Sequence, residues 1–245
     1  MQTKFHMTKE ENIFLAKRNI VDYIWKSANL EGIGVTYPDT QAIYNDMSVA
    51  GYKIEEIEAV NDLKHAWHML LSTIDDPLNL EYVKRIHRVL GKYTVINAGT
   101  LRMTDAYIGG TDWIPSLPDE NKMEEEIKRI LKEESPMDRA LEMTLFLMRT
   151  QPFYDGNKRT AMMIGNKIMI ENGAGIISVP QKHIAEFYSK LVPYYETGNA
   201  DKLKSFIYEE CIDGMVFPPK VELPLKRTIT ADFGESEKSR NGRSK

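Results

Sequence analysis

The chain has 245 residues, 42% of them hydrophobic and 28% charged, with a formal net charge of −4, which is the composition of a globular protein with ample length to bury a core. The weak negative balance, with basic residues gathered only near the end at Lys238, Arg240, Arg243 and Lys245, argues against a nucleic-acid partner. No apolar run approaches the roughly 20 residues of a membrane span, the first residues lack a signal-peptide core, and the single cysteine, Cys211, excludes an internal disulfide, so a cytoplasmic, reducing setting is expected.

Thr8 and Glu11 form a capping-box pattern ahead of an apolar stripe at Ile13, Ala16, Ile20 and Ile24. This predicts one helix reaching about Leu30 and stopping near Gly32. Residues 32–51 read as a polar connection around Pro38, Asp39 and Thr40. A long helix over residues 53–72 follows, with Ile54, Ile57, Val60, Leu63, Trp67 and Leu70 along one side. His65 and His68 sit three apart on it without a patterned acidic or thiol partner, so packing rather than metal binding is expected of them. Asn79 caps a shorter helix carrying Leu80, Val83, Ile86 and Leu90, with His87 as a structural residue and Gly91 as the stop.

Residues 104–118 change character. Here Tyr107, Ile108, Gly109, Gly110, Thr111, Asp112 and Trp113 place a Gly-Gly turn between short β-prone runs, which predicts a hairpin. One helix follows with Met123, Ile127, Ile130 and Leu131; another starts at Ser135-Pro136, with Asp138 near its positive end, and carries Leu141, Leu145 and Met148. Pro152 stops that pattern, Gly156-Asn157 make a turn, and a helix apolar on several faces runs from there to Asn172-Gly173, as a central buried helix does. Two more helices are marked by Ile184, Phe187, Tyr188 and Leu191, and by Leu203, Phe206 and Ile207. Residues 217–245 read as a polar, mobile tail. The organisation expected is all-α: an N-terminal helix and connection over 1–52, a core over 53–216, and the tail.

The chemistry concentrates in residues 150–160. A turn that opens a helix points backbone N–H groups outward, and the helix dipole helps them to hold an anion. Gly156, Asn157 and Lys158 supply amides, Lys158 and Arg159 supply cations, and Asp155 supplies a carboxylate suited to Mg²⁺. Those residue types outline a nucleotide-phosphate cradle; on spacing alone an ordinary polar helix start competes with it.

The run from Gln151 through Pro152, Phe153, Tyr154, Asp155, Gly156, Asn157 and Lys158 to Arg159 resembles the signature of the Fic/Doc (Fido) superfamily, H-x-F-x-(D/E)-(G/A)-N-(G/K)-R. Phe153, Asp155, Gly156, Asn157 and Arg159 match it, and Gln151 stands where the family has its catalytic histidine. The resemblance implies a Fic-type helical domain with a small β-hairpin flap, using ATP and Mg²⁺ to move part of the nucleotide, usually AMP, onto a hydroxyl side chain of a target protein. It implies catalytic positions at Gln151, Asp155, Asn157 and Arg159, phosphate contacts at Gly156, Asn157, Lys158 and Arg159, and metal binding at Asp155. Residues 107–113 become the flap that pairs with the target's backbone, and Gly99-Thr100-Leu101-Arg102 resembles the family's approach to it.

Upstream, Ser27-Ala28-Asn29-Leu30-Glu31-Gly32 resembles the family's inhibitory motif (S/T)-x-x-x-E-(G/N), with Ser27, Glu31 and Gly32 at its defined positions. Glu31 then offers a carboxylate where the γ-phosphate belongs. Two further departures stand out. Lys158 resembles the Doc-like branch, whose members phosphorylate their targets, and the second arginine of R-x-x-R falls at Met162, so Lys158 or Arg159 must hold Glu31 if it docks. A carboxamide accepts no proton near neutral pH, and general-base catalysis contributes about 10²–10⁴-fold. Adenylyl transfer impaired or lost at Gln151, with nucleotide binding kept, is therefore the expectation. Doc-like phosphoryl transfer and an ATP-independent interaction module are the alternatives, and the residues do not decide between monomer and homodimer.

Overall fold

The helix that starts at the signature turn is apolar on several faces, and they can be buried only if it is packed on more than one side. In the computed structural model, which describes residues 1–217, this is what the chain builds. In chain order the helices are α1 (Lys9–Arg18), α2 (Ile20–Leu30), α3 (Tyr37–Tyr44), α4 (Ile54–Ser72), α5 (Leu80–Leu90), α6 (Glu120–Ile130), α7 (Pro136–Thr150) and α8 (Asn157–Glu171). They continue as α9 (Ile184–Thr197) and α10 (Asp201–Glu210), with a 3₁₀ turn at Gln181–His183 and two short strands, β1 (Ile176–Ile177) and β2 (Ile212–Asp213). Every residue of α8 except Lys158 and Glu171 is buried, against α7, α5, α4, α1 and β1. Gly165 lets α7 approach closely: a Cβ there would lie 2.0 Å from the Thr144 hydroxyl. The fold is all-α, and among the described residues no helix is long and apolar enough to cross a membrane.

Three expectations are corrected. The first helix is two, α1 and α2, because Asn19 leaves helical geometry (φ −108°, ψ 15°) while its N–H still reaches Leu15 and its carbonyl accepts from Tyr23. The apolar stripe runs across this joint, so periodicity does not reveal it. The connection over 32–51 contains α3, started by the Thr36 hydroxyl accepting from the Asp39 N–H, with Pro38 in the first turn and Thr40 and Ile43 buried.

The third correction concerns residues 107–113, which keep a turn at Gly109-Gly110 but form no strand ladder. Tyr107 and Ile114 remain exposed, and a two-stranded hairpin that buries no apolar face is marginal. The ladder that does form among the described residues is antiparallel β1–β2, pairing Ile176 with Asp213 and Ile177 with Ile212. Of the two histidines on α4, His68 meets the Tyr44 hydroxyl at 3.1 Å. The expected tail begins at Phe217, whose ring packs edge-on against Phe14; its remainder, 218–245, lies outside the described residues.

Candidate active site

Helix α7 ends at Gln151, whose backbone adopts the left-handed region (φ 47°, ψ 59°), uncommon for a residue with a Cβ. That twist turns the chain sharply back into the bundle. The loop it starts is held by three side chains. Asn157 accepts from the Phe153 N–H at 2.9 Å and donates to the Phe153 carbonyl at 2.8 Å and to Gln151 Oε1 at 2.9 Å. Arg102, almost wholly buried, donates to the carbonyls of Gln151, Thr104, Pro115 and Ser116, while its own N–H reaches the Pro152 carbonyl. Burial holds its guanidinium below the usual arginine range, with Asp105 pulling the other way.

The third is His87 on α5. Its Nε2 lies 2.8 Å from the Asp155 carbonyl, its Nδ1 accepts from the Gly99 N–H at 2.8 Å, and its ring is stacked on Phe153. Burial pushes the imidazole down to about 4, outweighing the upward pull of the Asp155 carbonyl. It is neutral at physiological pH.

At the end of the loop Gly156 takes φ 73° and α8 begins with no side-chain cap, leaving the amides of its first turn available to a ligand. Asp155 has a largely exposed carboxylate; one oxygen accepts from the Gly156 N–H at 2.6 Å and the other lies 3.7 Å from the Arg159 guanidinium. Arg159 is 6% exposed, and its Nε has no partner among the described residues.

Facing the loop is a cleft of about 390 Å³, within the range of small-ligand sites, closed on the far side by residues 105–109 and by Tyr195 and Glu31. Glu31 enters it as the residue just past α2, with Gly32 following in the left-handed region (φ 80°). One Glu31 oxygen meets Lys158 Nζ at 3.0 Å, and the other is buried with no partner among the described residues. Burial draws the Lys158 ammonium down, but Glu31, Tyr188 and Asp155 together more than offset this, and its pKa lies above the ordinary lysine value. Tyr188 holds the end of α2 in place by donating its hydroxyl to the Leu30 carbonyl. Met162 is buried away from the cleft, beside Ser27 and Leu30 in a tight void.

Gln151 faces the same cleft, but its side chain is already committed. Its amide nitrogen donates to the Met148 carbonyl at 2.6 Å and lies 3.4 Å from the Tyr195 hydroxyl, while its oxygen accepts from Asn157. No proton-accepting nitrogen is presented there.

The structure thus brings together Glu31, Tyr107, Ile108, Gly109, Gln151, Asp155, Asn157 and Lys158. It leaves Ser27, Gly32, Gly156 and Arg159 off the cleft's lining, Ser27 and Arg159 lining the tight void beside Met162 instead. It also turns the far half of the expected flap elsewhere: Thr111 donates to Glu196, and Trp113 stacks on Tyr195 under Arg149. His87 as a loop anchor and Tyr195 as a cleft wall were missed. The one available signal for His87 is its place on the buried face of α5 beside Val83, Ile86 and Leu90. A larger cleft of about 830 Å³ lies beside α6, α7 and α10, but Arg129, Arg149 and Lys204 in it are each already paired. Lys122, which also lines it, is exposed and has no ion pair among the described residues.

Fold and site together make an all-α bundle built round a buried helix, with an uncapped first turn and a carboxylate beside it. Residues 77–169 match the model of the Fic/DOC family, so the chain carries a Fic/DOC family domain there. Protein adenylyltransferase fic-1 of Caenorhabditis elegans is 30% identical over 199 residues, covering 76% of this chain and 38% of that protein. The solved structure of Fic-1 (aa134–508) from C. elegans superposes with a TM-score of 0.65 at 25% identity, covering 79% of this chain and 60% of that one. A Fic domain containing signaling protein from Bacteroides thetaiotaomicron shares the fold, with a TM-score of 0.68 at 14% identity, covering 82% of this chain and 85% of that one. The chain therefore spans less than two fifths (38%) of the curated C. elegans relative's length.

Proposed function

We propose that this Fic domain binds ATP with Mg²⁺ at the turn around Gly156 and is of the protein-adenylyltransferase type, with transfer impaired or lost because Gln151 occupies the proton-accepting position. The observation that carries this reading is the pairing of an open phosphate turn with a carboxamide already engaged by Asn157 and Met148. The residues fit the ligand. Mg²⁺ is commonly held by one or two carboxylates together with substrate phosphate oxygens, and Asp155 supplies one exposed carboxylate beside the uncapped amides. When bound, the metal neutralises charge on the phosphates. The amides of Asn157, Lys158 and Arg159, with the Arg159 guanidinium, would position those phosphates.

Glu31 acts on this site as an internal brake. Its carboxylate holds Lys158, the cation best placed for a terminal phosphate, and puts negative charge into the cleft. Gly32, in the left-handed region, sets the turn that aims it, and Ser27 lies a turn earlier on α2. The exposed, unladdered backbone around Tyr107 would take up an extended segment of a target protein as an added strand, bringing its hydroxyl to the cleft. A cytoplasmic location accords with the buried, unpaired Cys211. Lys158 also supports a second reading, phosphoryl transfer of the Doc-like kind.

Calorimetric titration of the Glu31→Gly variant with ATP and Mg²⁺ tests the binding half of the proposal. Saturable, Mg²⁺-dependent binding is expected. Absence of binding at millimolar ATP would leave an ATP-independent interaction module.

A further inference from the structure

We infer that His87 is a positioning residue that locks the phosphate loop and the approach to the flap into one register through a single imidazole tautomer. The assignment follows from which groups can donate. The Gly99 N–H can only donate, and it lies 2.8 Å from Nδ1, so Nδ1 bears no proton. The proton of the neutral ring is then on Nε2, 2.8 Å from the Asp155 carbonyl, which can only accept. One side chain on α5 thereby grips two segments that are far apart in sequence. Its ring lies flat on Phe153, with centroids 3.6 Å apart and planes 5° from parallel, which sets the ring's height over the loop. Swapping the tautomer sets donor against donor at Gly99 and acceptor against acceptor at Asp155.

The backbone on both sides is shaped to this ring. Gly99 has φ +83°, and a Cβ there would come within 2.9 Å of Arg88, so only glycine brings its N–H this close. A Cβ at Gly156 would lie 3.4 Å from Nε2. A position serving only to fill the core between Val83, Ile86 and Leu90 needs no donor and acceptor on opposite edges. Pinning the Asp155 carbonyl presets the direction of its carboxylate and of the amides that follow. Arg102 then ties the same loop to Thr104, Pro115 and Ser116. The consequence for nucleotide affinity rests on the loop being the ATP site; the bracing itself does not.

The test uses the full chain and two variants. His87→Phe keeps the ring on Phe153 and removes both hydrogen bonds, and His87→Gln restores a donor that can reach the Asp155 carbonyl. Nitrogen-15 spectra of the native imidazole at neutral pH should show the neutral ring with its proton on Nε2. In His87→Phe, hydrogen exchange should accelerate about tenfold, the worth of one buried hydrogen bond, at the amides of Gly99, Phe153 and Gly156, while α5, α7 and α8 stay protected. His87→Gln should recover protection at Phe153 and Gly156 but not at Gly99. In a Glu31→Gly background that binds Mg²⁺-ATP, His87→Phe should weaken binding about tenfold and His87→Gln should restore it. A proton on Nδ1, native-like exchange in His87→Phe, no recovery in His87→Gln, or loss of protection throughout the three helices would each overturn the assignment, the last reducing His87 to core packing. Exchange and tautomer need no nucleotide, so failure of Glu31→Gly to bind ATP would sink the functional proposal and leave this one to be decided by them.

Discussion

Glu31→Gln is the perturbation that separates the brake from ordinary helix packing. The substitution keeps the size and shape of the side chain and removes its charge. Lys158 Nζ sits 3.0 Å from Glu31, with only 23% and 15% of the two side chains exposed, so solvent screens the pair weakly. A charge-assisted hydrogen bond in such a setting contributes about 2 kcal/mol. In the proposed mode ATP breaks it to recruit Lys158, so Glu31→Gln should tighten Mg²⁺-ATP binding by about 30-fold. The same change leaves a mostly buried ammonium with a weaker partner, and the nucleotide-free protein should lose about 1–3 kcal/mol of stability. Calorimetric titration reads the first effect and urea unfolding the second. A destabilised protein with unchanged ATP affinity would refute the reasoning, because Glu31 would then be a structural partner of Lys158 and no competitor of phosphate.

Further expectations follow from other parts of the structure. Asp155→Asn should retain weak ATP binding and abolish its dependence on Mg²⁺; if the dependence survives, the metal is held elsewhere. Gly165→Ala should cost about 1–3 kcal/mol in urea unfolding, since the added methyl meets the Thr144 hydroxyl and Ile177 across the tightest part of the α7–α8 packing, and unchanged stability would contradict that packing. Burial pushes the Cys211 thiol from 9.0 up to about 12, so the folded state keeps a proton that the unfolded chain releases, and stability should fall as pH rises above 9.0. By pH ~10.5 this component amounts to about 2 kcal/mol, and Cys211→Ala should remove it; an identical alkaline profile in the variant would show that the thiol does not carry it.

Helices α4 to α10 could be read from local signals, and the reasons are local. Asn79 and Ser135 cap as their side chains dictate, Pro136 sits in a first turn, and the apolar spacing of α5, and of α4 from Val60 onward, matches the faces they bury, whereas Ile54 at the start of α4 is exposed. The signature turn was legible because Gly156 must reach positive φ where α8 begins. What escaped depends on partners distant in sequence. The β1–β2 pair joins residues 176–177 to 212–213, and neither segment has a strand pattern of its own. Helix α3 hid in a polar stretch because only Thr40 and Ile43 are buried. The residues 107–113 have β-prone side chains but bury no common face, so their composition overstated their pairing. Sequence could say that Glu31 needs a cation if it docks; the choice of Lys158 over Arg159 is made by the entry of α2, which Tyr188 holds at Leu30. His87 and Arg102 are the clearest case, since a buried histidine and a buried arginine declare their purpose only when the backbone groups they serve are in place.

The most direct measurement of the central claim is label transfer from ATP, with the α- and γ-phosphates labelled in turn, by Glu31→Gly and by the Glu31→Gly/Gln151→His double variant, each with Mg²⁺. Both should bind nucleotide. The double variant should place the α label on protein, and Glu31→Gly with Gln151 intact should do so about 10²–10⁴-fold more slowly, the usual contribution of a general base. Comparable α-label transfer by Glu31→Gly alone, or transfer of the γ label instead, would contradict an adenylyl-transfer site disabled at residue 151.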